Sequence, residues 1–156
     1  MDLPRLAQME LKVNQFNVTT RRHSQGQLAE FLNQADHWVL TFRLQDRFAD
    51  HGLVSSLVAV REGDAIRIDN WLLSCRVFGR GAESFILAAL ATFARNQGAT
   101  ALLGEFIAGR RNGVVEQLYS RLGFQGSSGD GRWWRRELDV PLDDLTSFIA
   151  ETVSTL

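Results

Sequence analysis

The sequence contains a single cysteine, Cys75, and only three histidines, which are scattered along the chain. One cysteine cannot form an internal disulfide, and such usage is typical of proteins in a reducing compartment. One cysteine and three dispersed histidines also do not supply the clustered ligands of a structural zinc site. We therefore expect a cytoplasmic protein that binds no metal.

Long apolar runs and a strong charge imbalance are missing as well. No stretch approaches the roughly 20 apolar residues that a transmembrane helix needs, and the N-terminus lacks the pattern of a signal peptide. With 17 basic and 18 acidic residues the net charge is −1, so nothing indicates nucleic acid or a membrane as a partner. Lys12 is the only lysine, and the arginine bias either suits bidentate phosphate and carboxylate binding or reflects codon usage.

The 156 residues suit one domain with its own hydrophobic core. Residues 1–22 are interpreted as an N-terminal segment and residues 139–156 as a C-terminal helix. The other predicted elements are, in order, a helix starting within that segment at 3–13, a helix at 24–33, strands at 38–44, 53–61 and 65–73, a helix after residue 81, a strand at 101–107, a helix at 113–122 and a strand at 132–138. This order predicts an α/β fold with a mixed central sheet flanked by helices.

A short glycine loop follows the third predicted strand. Residues 76–81 read Arg-Val-Phe-Gly-Arg-Gly and stand directly before a helix. Gly79 and Gly81 permit positive φ and close backbone approach, and the N–H groups at a helix start favour an anionic ligand. Arg76 and Arg80 would add positive charge at the same rim. The pattern also fits a strand-to-helix turn that needs glycine for its geometry alone.

A second motif lies downstream of the loop. Asn112 precedes a predicted helix that contains Tyr119, the only tyrosine, and that ends before Gly123. In this order the two motifs resemble the acyl-thioester site of the GNAT acyltransferase superfamily. The resemblance implies that the loop and Asn112 bind the pantetheine arm of coenzyme A or of an acyl carrier protein, and that the Tyr119 hydroxyl protonates the departing thiolate. Alternatively, Tyr119 is a core aromatic whose hydroxyl bonds to the backbone.

Cys75 stands directly before the glycine loop, where the resemblance places the acyl carbonyl. A thiolate is a competent acyl nucleophile. Strand alternation predicts that Asp69, Trp71, Leu73 and Cys75 share one face, which would make Asp69 available as a base. The alternative is a buried, inert cysteine.

Four segments carry a more specific resemblance. They are residues 14–22, 40–48, 71–76 and 104–107, which read NQFNVTTRR, LTFRLQDRF, WLLSCR and GEFI. They resemble the C-terminal half of FkbH-like proteins, over about residues 6–124. Full-length members join a HAD-type phosphatase domain to a GNAT-like domain, take glyceryl from 1,3-bisphosphoglycerate, release phosphate and load the acyl group on an acyl carrier protein for polyketide assembly. A cysteine thioester is the implied intermediate.

The same resemblance implies further site residues. Asn14, Asn17 and Arg22 would line the acyl site together with Glu105. The chain lacks the Asp-x-Asp-x-Thr or Asp-x-Asp-x-Ser motif of a HAD nucleophile, so we assign it no phosphatase chemistry and expect a HAD-type domain as a fused or separate partner. Backbone amides at the point where the central strands separate would stabilise the oxyanion.

Three functions follow from these patterns. The leading interpretation is an acyltransferase in which Cys75 accepts a glyceryl-type acyl group and passes it to the phosphopantetheine thiol of an acyl carrier protein. The second is an acetyl-CoA-dependent N-acetyltransferase with Asp69 or Glu105 as base and Tyr119 as acid. The third is a non-catalytic module that docks a carrier protein.

Overall fold

The computed structural model describes residues 1–45, 47–79, 81–139 and 153–155. The helices are α1 (Leu3–Lys12), α2 (Gln25–Leu32), α3 (Ala82–Asn96) and α4 (Leu118–Arg121), with a 3-10 turn at Gly113–Val115 before α4. The strands are β1 (His37–Gln45), β2 (Asp50–Glu62), β3 (Ala65–Leu73), β4 (Ala101–Glu105), β5 (Gln125–Gly126), β6 (Trp133–Glu137) and β7 (Val153–Thr155). None of the described helices has the length and apolar character that crossing a membrane requires.

The seven described strands form one sheet in the order β5-β6-β4-β3-β2-β1-β7. β3 and β4 run parallel, and the other neighbouring pairs are antiparallel. α3 connects β3 to β4 and supplies the crossover that two adjacent parallel strands need. The predicted mixed sheet flanked by helices is therefore confirmed.

The two faces of the sheet pack against different helices. Val39 and Val58 lie in a small apolar cluster with α1 and α2. Leu40 and Leu57, their neighbours along the same strands, lie in the main core cluster with α3. Because side chains alternate between faces along a strand, the centre of the sheet is buried on both sides.

Both N-terminal helices begin where the sequence provides a cap. Asp2 Oδ1 accepts a hydrogen bond from the backbone N–H of Arg5 at 3.0 Å, and Pro4 stands in the first turn, where no N–H is needed. Ser24 and Gln27 form the predicted capping box at the start of α2. Local sequence is therefore sufficient to start these two helices.

The pairing of β3 with β4 ends part-way along the strands. Their ladder runs from Ala65 opposite Ala101 to Ile68 opposite Gly104. The register of β3 against β2 shifts at the next residue, Asp69, which forms a bulge. Beyond the bulge, β3 no longer pairs with β4, and a gap opens between the two strands.

Residues 16–19, which we call the inserted segment, fill this gap. The N–H of Leu73 donates to the carbonyl of Phe16 at 3.2 Å, and the N–H of Val18 donates to the carbonyl of Trp71 at 3.3 Å. The segment therefore pairs with the free edge of β3 in the antiparallel sense, as a short additional strand would. Buried backbone groups need such partners, so the edge is satisfied within the chain.

Asn112 ties the inserted segment to the chain that follows β4. The N–H of Ile107 donates to the carbonyl of Val18 at 2.9 Å. The side-chain amide of Asn112 donates to the carbonyls of Asn17 at 2.8 Å and Ile107 at 2.9 Å, and its oxygen accepts from the N–H of Gly109 at 2.7 Å. Asn112 is 1% exposed. All of these bonds are made to the protein's own backbone.

Two predicted elements differ from the structure, and one observed strand was not predicted. Residues 113–122 form a 3-10 turn and the separate helix α4 rather than one helix, because a glycine and two β-branched valines at the start have low helix propensity. Val153, predicted to lie in a C-terminal helix, begins strand β7, which pairs with the outer edge of β1. Residues 140–152 of that predicted helix lie outside the described residues. β5 has no predicted counterpart, since two residues are too few for a pattern.

We expect Asn112→Ala to lower the free energy of unfolding by roughly 2–4 kcal/mol, because it removes one buried and two partly buried hydrogen bonds and leaves backbone groups without this partner. Urea unfolding followed by circular dichroism measures the change. Asn33→Ala is the control, since it removes one exposed bond to the carbonyl of Ala29 and should change stability by less than about 1 kcal/mol. An Asn112 effect no larger than the Asn33 effect would contradict the clamping role.

Candidate functional site

The glycine loop has the geometry that the sequence predicts. β3 ends at Leu73, a turn runs from Cys75 to Gly79, and Gly81 is the N-cap of α3. Gly79 has φ 76° and Gly81 has φ 80°, which is the left-handed region that favours glycine. No atom lies within 4 Å of the position that a Cβ would take at Gly79. The space on that side of Gly79 is therefore open to a ligand.

The start of α3 adds hydrogen-bond donors beside the loop. No side chain caps its first N–H groups, which are therefore available to an anionic oxygen. Arg76 is exposed, and its Nε donates to the Ser74 hydroxyl at 3.3 Å. The carboxylate of Glu83 accepts from the N–H of Gly79 at 3.3 Å. Arg80 lies outside the described residues, so its expected role stays a prediction.

Cys75 lies in the turn after β3, and its side chain is exposed. The prediction that Cys75 continues the strand on one face with Asp69, Trp71 and Leu73 is wrong. Trp71 and Leu73 are fully buried, but the strand ends at Leu73, so Cys75 lies in the exposed turn that follows. The bulge at Asp69 interrupts the alternation between Asp69 and Trp71. The alternative of a buried, inert cysteine is contradicted as well.

Cys75 lines a cleft of about 800 Å³ that also involves the chain after α1 and the exposed ring of Phe78. A second cleft of about 560 Å³ adjoins it and shares Lys12, Val13 and Ser74. The basic side chains that line the larger cleft are Lys12, Arg110 and Arg111. The two arginines were not predicted as site residues, although they directly precede Asn112 in the sequence.

Tyr119 is enclosed by the core. It is 1% exposed, and among the described residues its hydroxyl has no hydrogen-bond partner within bonding geometry. Its ring packs so closely on Gly104 that a Cβ at that position would come within 2.4 Å of it. Burial raises the pKa of the hydroxyl above its ordinary value. The structure therefore does not bring Tyr119 and Cys75 to one common surface.

The polar residues expected to line the acyl site mostly bind their own chain. Asn17 is buried within the inserted segment, where Asn112 holds its carbonyl. Arg22 donates to two carbonyls at the C-terminal end of α1 and, at 2.6 Å, to the side chain of Asn14. Of the four residues expected to line the acyl site, Asn14, Asn17, Arg22 and Glu105, only Asn14 lines the Cys75 cleft. Arg22 thus caps a helix end whose carbonyls lack partners within the helix.

Asp69 and Glu105, the two candidate bases, are both held in ion pairs. Asp69 accepts from Arg67 at 2.7 Å. Arg21 lies between the two carboxylates, 3.6 Å from Asp69 and 2.7 Å from Glu105, and Arg132 binds the other oxygen of Glu105 at 2.5 Å. Burial opposes ionisation, but the neighbouring cations outweigh it and hold the pKa of each carboxyl below its ordinary value. Carboxylates stabilised in this way are weak proton acceptors.

His23 completes the network and was not among the predicted site residues. Its Nε2 lies 3.3 Å from Asp69, and its Nδ1 lies 3.4 Å from Glu10. Burial favours the neutral ring, but hydrogen bonds to Asp69 and Glu10 outweigh it and raise the pKa of His23 to about 9. His23 is therefore an imidazolium at neutral pH. No local motif marks it, because its two partners meet only in the tertiary structure.

Known protein structures resemble this one, although comparison of the sequence alone finds no relative. No family model matches the sequence, and no curated protein matches it. The ribosomal-protein-S18-alanine N-acetyltransferase of Escherichia coli superposes with a TM-score of 0.64 at 18% identity, over 93% of this chain and 93% of that chain. A GNAT-family protein from Desulfovibrio desulfuricans gives a TM-score of 0.67 at 15% identity, over 88% of this chain and 92% of that chain. This protein has the GNAT fold.

The GNAT fold also recurs within larger proteins. N-acetylglutamate synthase from Neisseria gonorrhoeae, in a complex with coenzyme A and N-acetyl-glutamate, matches with a TM-score of 0.63 at 16% identity, over 88% of this chain and 33% of that chain. At these identities the likeness concerns the fold. The predicted GNAT fold is confirmed, and the closer resemblance to FkbH-like proteins stays a prediction.

We expect the free energy of unfolding to fall between about pH 6.5 and pH 9, because folding raises the pKa of His23 from 6.5 to about 9. The stabilisation is complete below the unfolded pKa and is lost as the pH rises through the folded pKa. The difference between the two pKa values sets an upper limit of roughly 3 kcal/mol. Urea unfolding at a series of pH values tests this. His23→Gln should remove most of the slope and His37→Gln should keep it; a wild-type slope in His23→Gln excludes His23 as the cause.

Proposed function

We propose that this chain is an acyltransferase of the GNAT type in which Cys75 carries the acyl group. Cys75 accepts a glyceryl-type acyl group as a thioester and passes it to the phosphopantetheine thiol of an acyl carrier protein, with coenzyme A as the alternative carrier. One observation carries the proposal: the thiol is exposed on a cleft of about 800 Å³, beside a glycine loop with free space at Gly79 and the uncapped start of α3.

The chemistry consists of two acyl exchanges. With an acyl phosphate as donor, the thiol sulfur of Cys75 attacks the carbonyl carbon, the C–S bond forms, the C–O bond to phosphate breaks, and the thiol proton leaves with the phosphate. In the second exchange the carrier thiol attacks the Cys75 thioester. Its own C–S bond forms, the bond to Cys75 breaks, and Cys75 regains a proton. No metal and no redox partner is needed for this balance.

The proposed route of the carrier arm follows the loop rather than the gap between β3 and β4. The inserted segment occupies that gap, and at its edge the N–H of Leu73 donates to the carbonyl of Phe16 rather than remaining free for an oxyanion. The arm is instead proposed to run along Gly79 and Gly81, with Arg76 at the rim and the N-terminus of α3 as donor for the oxyanion. A contact with Arg80 stays a prediction. Asn112 contributes by holding the inserted segment in place.

Direct N-acetyl transfer from acetyl-CoA has less support. That route needs a base and an acid at the reacting atoms. Asp69 and Glu105 are stabilised as carboxylates by Arg21 and further cations, and the hydroxyl of Tyr119 is buried with a raised pKa. These observations favour the covalent route through Cys75 over the direct one.

The partners of the proposed reaction follow from the FkbH-like resemblance. An acyl carrier protein is the acceptor, a HAD-type phosphatase domain, fused or separate, prepares the acyl donor, and polyketide assembly is the setting. A non-catalytic docking module would use the same cleft but would not need the thiol of Cys75. Acylation of that thiol is therefore the property that separates an enzyme from a docking module.

Cys75→Ser should abolish acyl transfer while leaving the fold intact, because a hydroxyl does not reproduce the nucleophilicity of a thiolate. Intact mass after incubation with an acyl phosphate should show one acyl adduct on the wild-type protein and none on the variant. The double variant Cys75→Ser/Ser120→Cys carries an exposed thiol at a different place and should also remain unmodified. Undiminished steady-state transfer by Cys75→Ser would falsify the covalent mechanism.

Tyr119→Phe separates the two enzymatic routes. On the covalent route we expect transfer to stay within about twofold of wild type, because the hydroxyl is buried whereas Cys75 is exposed. Direct transfer with Tyr119 as general acid predicts a loss of about 10²–10⁴-fold. Single-turnover rates for acylation of Cys75 and for transfer to the carrier thiol measure both steps. A loss of that size in the second step alone would return Tyr119 to the catalytic machinery.

A further inference from the structure

Unpaired positive charge collects around Cys75. Four of the described basic residues make no ion pair, side-chain hydrogen bond or ring contact; they are Arg5, Lys12, Arg110 and Arg111. All four line the two adjoining clefts. Elsewhere, described arginines bind carboxylates, carbonyls or rings, as Arg67, Arg95 and Arg47 do. The free cations are therefore concentrated on one side of the molecule.

Three of these cations share the larger cleft with the thiol. Lys12, Arg110 and Arg111 line it together with Cys75, and no acidic side chain is among its described lining residues. Like charges around one cleft repel each other, and a bound anion relieves that repulsion. Guanidinium groups bind phosphate with two parallel hydrogen bonds, and an ammonium group adds a point charge. The cleft is thus electrostatically suited to a phosphate.

The same cleft has an apolar wall. Phe78 and Val114 line it with 36% and 41% of their surfaces exposed, which is unusual for large apolar side chains in this protein. A ligand that fills the cleft would therefore have an anionic group at one end and a less polar part that packs on Phe78 and Val114. Its carbonyl or sulfur atom would lie within reach of Cys75. Phosphopantetheine thioesters and phosphorylated acyl donors both have this form.

We propose that Lys12, Arg110 and Arg111 form a subsite for a phosphate ester in the Cys75 cleft, and that the acyl donor or the acyl acceptor is selected through this phosphate. The proposal names the ligand class of the site in the proposed function and rests on it for its biological role. The binding itself does not require turnover. Its two sources, the phosphate of a carrier arm and the phosphate of a small donor, are separated by experiment.

The test measures protection of Cys75 from alkylation by iodoacetamide, followed by intact mass. Two ligand pairs differ only in their phosphate: S-methyl phosphopantetheine with S-methyl pantetheine, and glycerol 3-phosphate with glycerol. In at least one pair, the phosphorylated member should protect Cys75 at a concentration at least about tenfold lower than the unphosphorylated member needs. Raising the ionic strength should shrink this advantage, because exposed charges are screened.

Matched variants assign the effect to the three cations. Lys12→Gln/Arg110→Gln/Arg111→Gln should lose the preference for the phosphorylated member while its circular dichroism stays that of wild type. Arg43→Gln/Arg121→Gln, which removes exposed arginines away from the cleft, should keep it. Titration calorimetry on Cys75→Ser repeats the comparison without relying on alkylation.

The outcomes are distinct. A preference in the pantetheine pair alone supports the carrier arm as the source, and one in the glycerol pair alone supports a small phosphorylated donor. Equal protection by both members of both pairs, or a preference that survives the triple variant, overturns the subsite. Failure of acyl transfer through Cys75 would leave a measured phosphate preference standing, so the subsite and the proposed reaction fail separately.

Discussion

The centre of this GNAT fold depends on backbone hydrogen bonds made by the inserted segment, residues 16–19. β3 and β4 stop pairing after Ile68 and Gly104, and a strand edge left inside a protein needs hydrogen-bond partners. The segment bonds to β3 on one side and, through Val18, to Ile107 beyond β4 on the other. The inserted segment thereby provides hydrogen-bond partners for both open strand edges. The arrangement of the buried charges and the position of Cys75 follow from where this segment lies.

The buried charges are the first of these features. Because Arg21 and His23 follow the inserted segment directly, they reach Glu10, Asp69 and Glu105, which come from three different elements. A buried carboxylate without a cation is strongly destabilising, so the segment and the carboxylates require each other. To act as catalytic bases, these carboxylates would have to be free of ion pairs. The network binds them instead and gives them a structural role.

The position of the proposed reactive surface is the second. Because the inserted segment fills the gap between β3 and β4, Tyr119 is buried next to Gly104. The accessible candidate group, Cys75, lies beyond the end of β3. Cys75 stands there because β3 ends at Leu73 and the chain turns before α3. The exposed thiol, Phe78 of the glycine loop and unpaired cations then line one cleft, and this arrangement underlies the proposal of chemistry at the cysteine rather than at the buried tyrosine.

Local sequence determined the parts that depend on near neighbours. The capping box of α2, the glycines at positive φ and the mixed sheet with its helices could all be predicted, because each is encoded within a few residues or in a periodic pattern. The exposure of Cys75, the enclosure of Tyr119 and the partners of His23 could not. Asn112 shows the reason: it bonds to Asn17, 95 positions away, and only tertiary contacts decide which groups such a side chain binds.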